Sequence, residues 1–190
     1  MSKAFTDFLK KIVPLSSEEE TDIARAVKVR TYPKGTLLLR EGEISRCYYF
    51  VISGCIRQYY IVDEEEKTTF FHIENSFVIS YDSYMKQNPA SHYIDCLEDT
   101  TVAIIYKEAE EEMFHRYPDL LGLTRLILEE ELSKYQDLLA SYIVNKPEMR
   151  YRKLLLSQPD LLNRVPQYYL ASYLGVTAES LSRIRKRIIP

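Results

Sequence analysis

From Val27 to about Ile105 the chain runs in short segments of period-two or continuous apolar character, enriched in β-branched and aromatic residues. They predict strands at Val27–Tyr32, Thr36–Arg40, Cys47–Ser53, Cys55–Val62, Lys67–Ile73, Phe77–Ser80, His92–Cys96 and Thr101–Ile105. Strands this short and this closely spaced imply a β-sandwich or jelly-roll barrel. Three of the five glycines, Gly35, Gly42 and Gly54, fall at the turns between them. Asp63 to Lys67 is a charged hairpin tip, and its consecutive carboxylates cannot converge on one ion.

Helical patterns flank this block. Ala4 to Ile12 places Phe5, Phe8, Leu9 and Ile12 on one side, and Pro14 ends it. Ser16 or Ser17, followed by Glu18, Glu19 and Glu20, reads as an N-cap opening a helix to about Ala26. Both helices are expected to cover the sheets. After the strands, Lys107 to Arg116 is helical and Tyr117-Pro118 closes it. From Leu120 to about Asn145 there is no proline, and Leu121, Leu128, Leu132, Tyr135, Leu139 and Tyr142 recur, after the first, in steps of four and three, a coiled-coil seam. Such a helix is about 38 Å long and too apolar to stand alone, so it packs either on its own barrel or against a second copy. Asn145-Lys-Pro147 is the expected hinge, and Glu148 to Ser157 a further helix with Met149, Leu154, Leu155 and Leu156 inward.

The stretch from Gln167 to Arg187 reads as a helix-turn-helix. Leu170 and Leu174 share a face of the first helix, and Leu181, Ile184 and Ile188 recur on the second. Ala171 is small where the helices cross, Gly175 supplies the turn, Val176 fills the corner and Thr177 caps the second helix. The outer face of that helix carries Ala178, Glu179, Ser182, Arg183 and Lys186, flanked by Arg185 and Arg187. It suits a major groove: a glutamate accepts from a cytosine amine, an arginine binds guanine bidentately, and further cations hold phosphates.

Charge sharpens this division. From Lys146 onward nine basic residues stand against three acidic ones, leaving +6 there and −9 on the rest of a chain whose net charge is −3. An acidic front on a basic tail is expected if only the tail meets phosphates. With 46% hydrophobic and 28% charged residues, and neither a signal peptide nor a run of membrane-spanning length, the chain is expected in the cytoplasm, without a membrane partner. Cys47, Cys55 and Cys96 lack paired spacing and read as small buried hydrophobes, not as a disulfide, zinc or iron–sulfur site. His72, His92 and His115 lack the spacing of a cupin metal centre, so no metal and no cofactor is expected and the chain is not read as an enzyme.

Two stretches carry a specific resemblance. Tyr32-Pro-Lys-Gly-Thr-Leu-Leu-Leu-Arg-Glu-Gly-Glu43 and Tyr49-Phe-Val-Ile-Ser-Gly-Cys-Ile-Arg57 resemble the sensory domain of the Crp/Fnr family of transcription regulators. The short, tyrosine-rich form is most similar to family members in Bacteroidetes. The resemblance implies a cyclic nucleotide-binding-like jelly roll, then a dimerisation helix, then a winged helix-turn-helix. Cyclic AMP-binding members have a glycine and a glutamate before a short helix and an arginine that pairs with the cyclic phosphate. In the corresponding stretch, Asn75 to Tyr93, the glycine and glutamate fall near Ile79 and Ser80, and about Ser91, beside His92, stands in place of the arginine. Without that guanidinium a buried phosphate loses a charge-assisted pair, so cyclic AMP is not the expected effector. A different small effector would meet Ser80, Tyr81, Asp82, Tyr84, Lys86, Ser91 and His92. The N-terminal cysteine cluster of the family's oxygen sensor is absent. The base-reading positions map to Thr177, Ala178, Glu179 and Arg183, with Ala178 where an arginine is often found. The family adds a hairpin wing after this helix; a chain ending at Pro190 would hold fewer phosphates.

The expected fold class is therefore α+β, with a jelly-roll sensor over 1–118, a dimerisation helix over 119–145 and a helix-turn-helix domain over 146–190. The expected function is a homodimeric, sequence-specific DNA-binding transcription regulator that meets a palindromic operator through Thr177, Ala178, Glu179, Ser182, Arg183, Lys186 and Arg187. RNA polymerase and an unidentified small effector are admitted as further partners. The alternative is a cyclic nucleotide or other small-ligand binding module without DNA binding. It keeps the barrel and the seam, but has no use for Arg183, Lys186 and Arg187 on one helix.

Overall fold

A computed structural model describes residues 3–188; Met1, Ser2, Ile189 and Pro190, and with them the chain end weighed above, lie outside the described residues. Eight strands form two four-stranded sheets: β1 (Lys28–Tyr32), β8 (Thr100–Tyr106), β3 (Cys47–Ser53) and β6 (Phe77–Val78) in one, and β2 (Leu37–Leu39), β7 (Tyr93–Cys96), β4 (Ile56–Val62) and β5 (Glu65–His72) in the other, each in that order. β8 pairs antiparallel with both β1 and β3, in register Arg30↔Val102 and Phe50↔Ala103. The predicted strands are all present, their ends displaced by no more than two residues.

The core lies between the sheets. Leu39, Ile56, Ile94 and Cys96 from one sheet meet Val51, Val78, Val102 and Ile104 from the other. Each fully buried aliphatic side chain contributes roughly 1.5–3 kcal/mol. β3 and β8 are apolar on both faces because their outer face is covered as well. Phe5 and Phe8 of α1 (Lys3–Leu9) pack on Phe50 at ring-centroid distances of 5.2 and 4.8 Å, and Phe77 closes the cluster 5.3 Å from Phe50. α2 (Ser17–Ala26) opens with Ser16 and Glu19 in a reciprocal capping box. Its Asp22 accepts from Arg116 Nη1 (2.6 Å) and the Tyr117 hydroxyl (2.8 Å) at the end of α4 (Lys107–Arg116), joining the two helices. Gly54, at φ +110°, sits where a Cβ would lie 2.7 Å from the Thr100 Cα, so no other residue fits that turn unmoved.

The described chain gathers into two compact units, residues 3–58 with 71–126, and 59–70 with 127–188. The second combines the outer part of the β4–β5 hairpin, most of α5 (Leu120–Val144), α6 (Pro147–Ser157), α7 (Leu161–Arg164), α8 (Gln167–Tyr173) and α9 (Ala178–Ile188). Phe70 meets Tyr135 edge-on at 4.8 Å. Ser172 Oγ accepts from the Thr68 amide (2.9 Å) and donates to the Glu66 carbonyl (3.0 Å).

One face differs from expectation. On α6 the buried residues are Tyr151 and Leu154, while Met149 and Leu156 (85% exposed) face water. At 100° per residue, Leu154, Leu155 and Leu156 cannot share a face, and Tyr151 stands one turn before Leu154. No described helix is long and apolar enough to cross a membrane.

Candidate functional site

α8 and α9 cross as a helix-turn-helix whose joint follows from Gly175. Its φ of +66° places it after the last turn of α8, where its amide donates to the Ser172 carbonyl and the Val176 amide to the Ala171 carbonyl, 3.0 Å each, a Schellman ending. Thr177 caps α9 by accepting from the Ser180 amide at 3.2 Å. Leu170, Ala171, Leu174, Leu181 and Ile184 are buried, together with Tyr151, Leu154, Leu161 and Val165. This small core fixes which face of α9 remains outside.

That face is the expected one. Thr177, Ala178, Glu179, Ser182, Arg183, Lys186 and Arg187 are all exposed. Arg183 approaches Glu179, one turn earlier, only at 4.0 Å and is 73% exposed, so its guanidinium is available to a ligand. The last turn of α9 holds Arg185, Lys186 and Arg187, and the Glu179 carboxylate stands at its first turn, near the positive end of the helix.

Arg150, counted above with the basic tail, is engaged internally. Its Nη1 donates to the Asn145 carbonyl (2.7 Å), its Nη2 to the Leu174 carbonyl (2.6 Å), and its Cζ lies 4.8 Å from the Tyr142 ring centroid. No local sequence signal marked this role, because the Leu174 carbonyl is 24 residues away in the chain. For the Ser172 bridge there was none either.

The seam residues lie along one helix. Leu121, Leu128, Leu132 and Leu139 are exposed, joined by Ile143 and Val144, which the heptad reading omitted. Tyr135 and Tyr142 keep partly open faces while contacting Phe70 and, at 6.5 Å, Tyr173. Burial pushes the Tyr173 hydroxyl up to about 12.

The candidate effector residues do not converge. Tyr81, Asp82 and Ser91 face water, and Asp82 pairs with Lys86 at 2.6 Å along α3 (Tyr81–Lys86). Tyr84 is buried, but its hydroxyl donates to Glu110 of α4 (2.7 Å) and its ring meets Tyr48 at 5.5 Å, so it anchors α4. Ser80 and His92 are buried. A short helix turns alternate side chains outward, which the family correspondence could not show. The buried cation of this unit is instead Arg57, 1% exposed, held bidentately by Asp95 (Nε–Oδ1 3.0 Å, Nη2–Oδ2 2.8 Å). Its signal was an arginine inside an apolar and aromatic strand. Burial also holds His72 down at about 4 and lowers His92, so both rings stay neutral near neutral pH. Cys55 and Cys96 are buried and Cys47 half-buried; none of the three is in a disulfide, and burial pushes the Cys96 thiol up to about 11.

A β-sandwich, a long helix with exposed leucines and a helix-turn-helix with an exposed basic face follow one another along the chain. Residues 29–117 match the family model of the cyclic nucleotide-binding domain. The chain is 26% identical to the transcriptional activator protein Anr of Pseudomonas protegens, over 92% of this chain and 77% of that one. It is 25% identical to the fumarate and nitrate reduction regulatory protein of Yersinia pestis, over 90% and 73%. Its fold is similar to that of the c-di-GMP-responsive global regulator CLP of Xanthomonas campestris, with a TM-score of 0.71, 18% identity and 91% of each chain covered. Over most of its length the chain is thus similar to transcription regulators of the Crp/Fnr type.

Proposed function

We propose that the protein is a homodimeric, sequence-specific DNA-binding transcription regulator acting in the cytoplasm, with α9 as the helix that enters the major groove. The observation that carries this reading is the exposed face of α9: Glu179, Ser182, Arg183, Lys186 and Arg187 face water while Leu181 and Ile184 lock the helix to α8. Thr177, Ala178, Glu179 and Arg183 read base edges, and Lys186 and Arg187 hold phosphates. Crp/Fnr regulators bind DNA and act as dimers; here the open leucines of α5 supply the seam, and two copies of α9 about 34 Å apart read a palindrome. The relatives are regulators, which supports a role without catalysis. Functional limits are placed at 118 and 145, with hairpin residues 59–70 grouped with the C-terminal helices, and RNA polymerase is the partner through which such a dimer acts on transcription.

The effector is a small molecule other than cyclic AMP. Lys86, the one lysine or arginine among residues 75–93, is paired with Asp82, and the Arg57 guanidinium is matched by Asp95. Selection from a random DNA pool tests the main reading: enrichment of one palindromic sequence is expected, and recovery of no preferred sequence refutes it. Millimolar cyclic AMP is expected to leave the melting temperature unchanged, and a rise of several degrees would assign that ligand after all.

A further inference from the structure

Arg150 joins two helix ends. Asn145, whose carbonyl takes Nη1, follows the last residue of α5, and Leu174, whose carbonyl takes Nη2, follows the last residue of α8. Both carbonyls lie where a helix leaves acceptors without partners and carries partial negative charge. One planar cation satisfies both, and Tyr142, from the last turn of α5, lies against its face at 4.8 Å. Gly175 lies beside the clamp: a Cβ there would be in ordinary contact with Nη2 at 3.5 Å and the Tyr142 ring at 3.8 Å, so it is the φ of +66° that favours glycine. A lysine carries the charge, but cannot span two carbonyls with a fixed fork while stacking.

We propose that Arg150 is a positioning residue for DNA recognition. By clamping the end of the dimer helix to the end of the first helix of the reading head, it fixes the angle at which α9 leaves the dimer axis, and so the half-site spacing the dimer accepts. The inference rests on the dimeric DNA-binding reading above. In B-DNA one added base pair turns the second half-site by roughly 35°, so a rigid dimer must discriminate between spacings.

The test uses the palindrome selected by the full chain, the same palindrome with its spacer changed by one or two base pairs, and a single half-site. The unaltered protein is expected to prefer one spacer at least tenfold. Arg150→Met is expected to bind that spacer at least tenfold more weakly, accept all spacers within about threefold, and keep its affinity for the single half-site. Arg150→Lys keeps the charge, and is expected to flatten the spacer preference while melting within a few degrees of the parent and remaining dimeric. It decides the question by the same criteria if Arg150→Met does not fold. A retained spacer preference overturns the proposal, as does an equal loss on every spacer and on the half-site, which marks Arg150 as an ordinary phosphate contact. If the unaltered protein selects no palindrome, the dimeric DNA-binding reading itself fails, a result distinct from a variant that keeps its spacer preference.

Discussion

Arg57 has its charge matched inside the sensor unit, and the match is bidentate. Removing one partner leaves the other charge desolvated, so Arg57→Met is expected to lower stability by about 3–5 kcal/mol, while the additional change Asp95→Leu recovers much of that loss. Chemical denaturation of the single and double variants measures it. His72 gives the sensor a pH dependence of known sign. Its folded value of about 4 lies below the ordinary 6.5, so its contribution is fully present above about pH 6.5 and is lost as pH falls toward 4. The shift corresponds to ~3 kcal/mol. A midpoint-against-pH series for the parent and for His72→Asn, which cannot ionise, should show the slope below pH 6.5 in the parent and a shallower one in the variant. At the reading head, Arg183→Ala is expected to remove roughly 1–3 kcal/mol of discrimination at one base pair and to leave the fold intact. These residues were unequally legible. Arg183 stands out because its helix periodicity leaves it outside. Arg57 sits in a strand whose alternation assigns it no solvent face, and Asp95 is distant in sequence.

The elements were legible wherever a local rule fixed them. Period-two runs with glycine punctuation placed the strands, and the Ser16–Glu19 capping box and the Gly175 turn are short-range motifs that need no tertiary context. α6 was misread because three successive leucines outvoted a tyrosine, whereas burial follows the 100° step through Tyr151 and Leu154. The grouping of hairpin residues 59–70 with the C-terminal helices was invisible as well, since the Ser172 bridge depends on approach in space. The α8–α9 joint therefore has two separable parts. Leu181→Ala opens a cavity beneath a fully buried side chain and is expected to cost about 2–5 kcal/mol. Thr177→Ala removes one cap and costs about 1 kcal/mol. Thermal melts should rank them in that order.

For the whole molecule, the charge division and the open seam make one argument. An acidic front of −9 is repelled by a duplex that attracts the +6 tail, so the contact between copies proposed above is expected on side chains that do not meet DNA. Among the exposed apolar side chains of α5, Leu128, Leu132 and Leu139 are proposed for that contact, with Leu132 57% and Leu139 64% exposed. They stand in steps of four and seven along one stripe, as a two-stranded seam requires. Replacing both Leu132 and Leu139 by glutamate puts like charges face to face across such a seam without touching the core of either unit. Sedimentation should then show a monomer whose far-ultraviolet dichroism matches the parent's. Its affinity for the selected palindrome should fall to that of one half-site, and the dependence of binding on salt should drop by about half, because one tail instead of two displaces counterions. A variant that stays dimeric, or a monomer that binds the palindrome as tightly as the parent, would place the contact between copies somewhere other than this stripe.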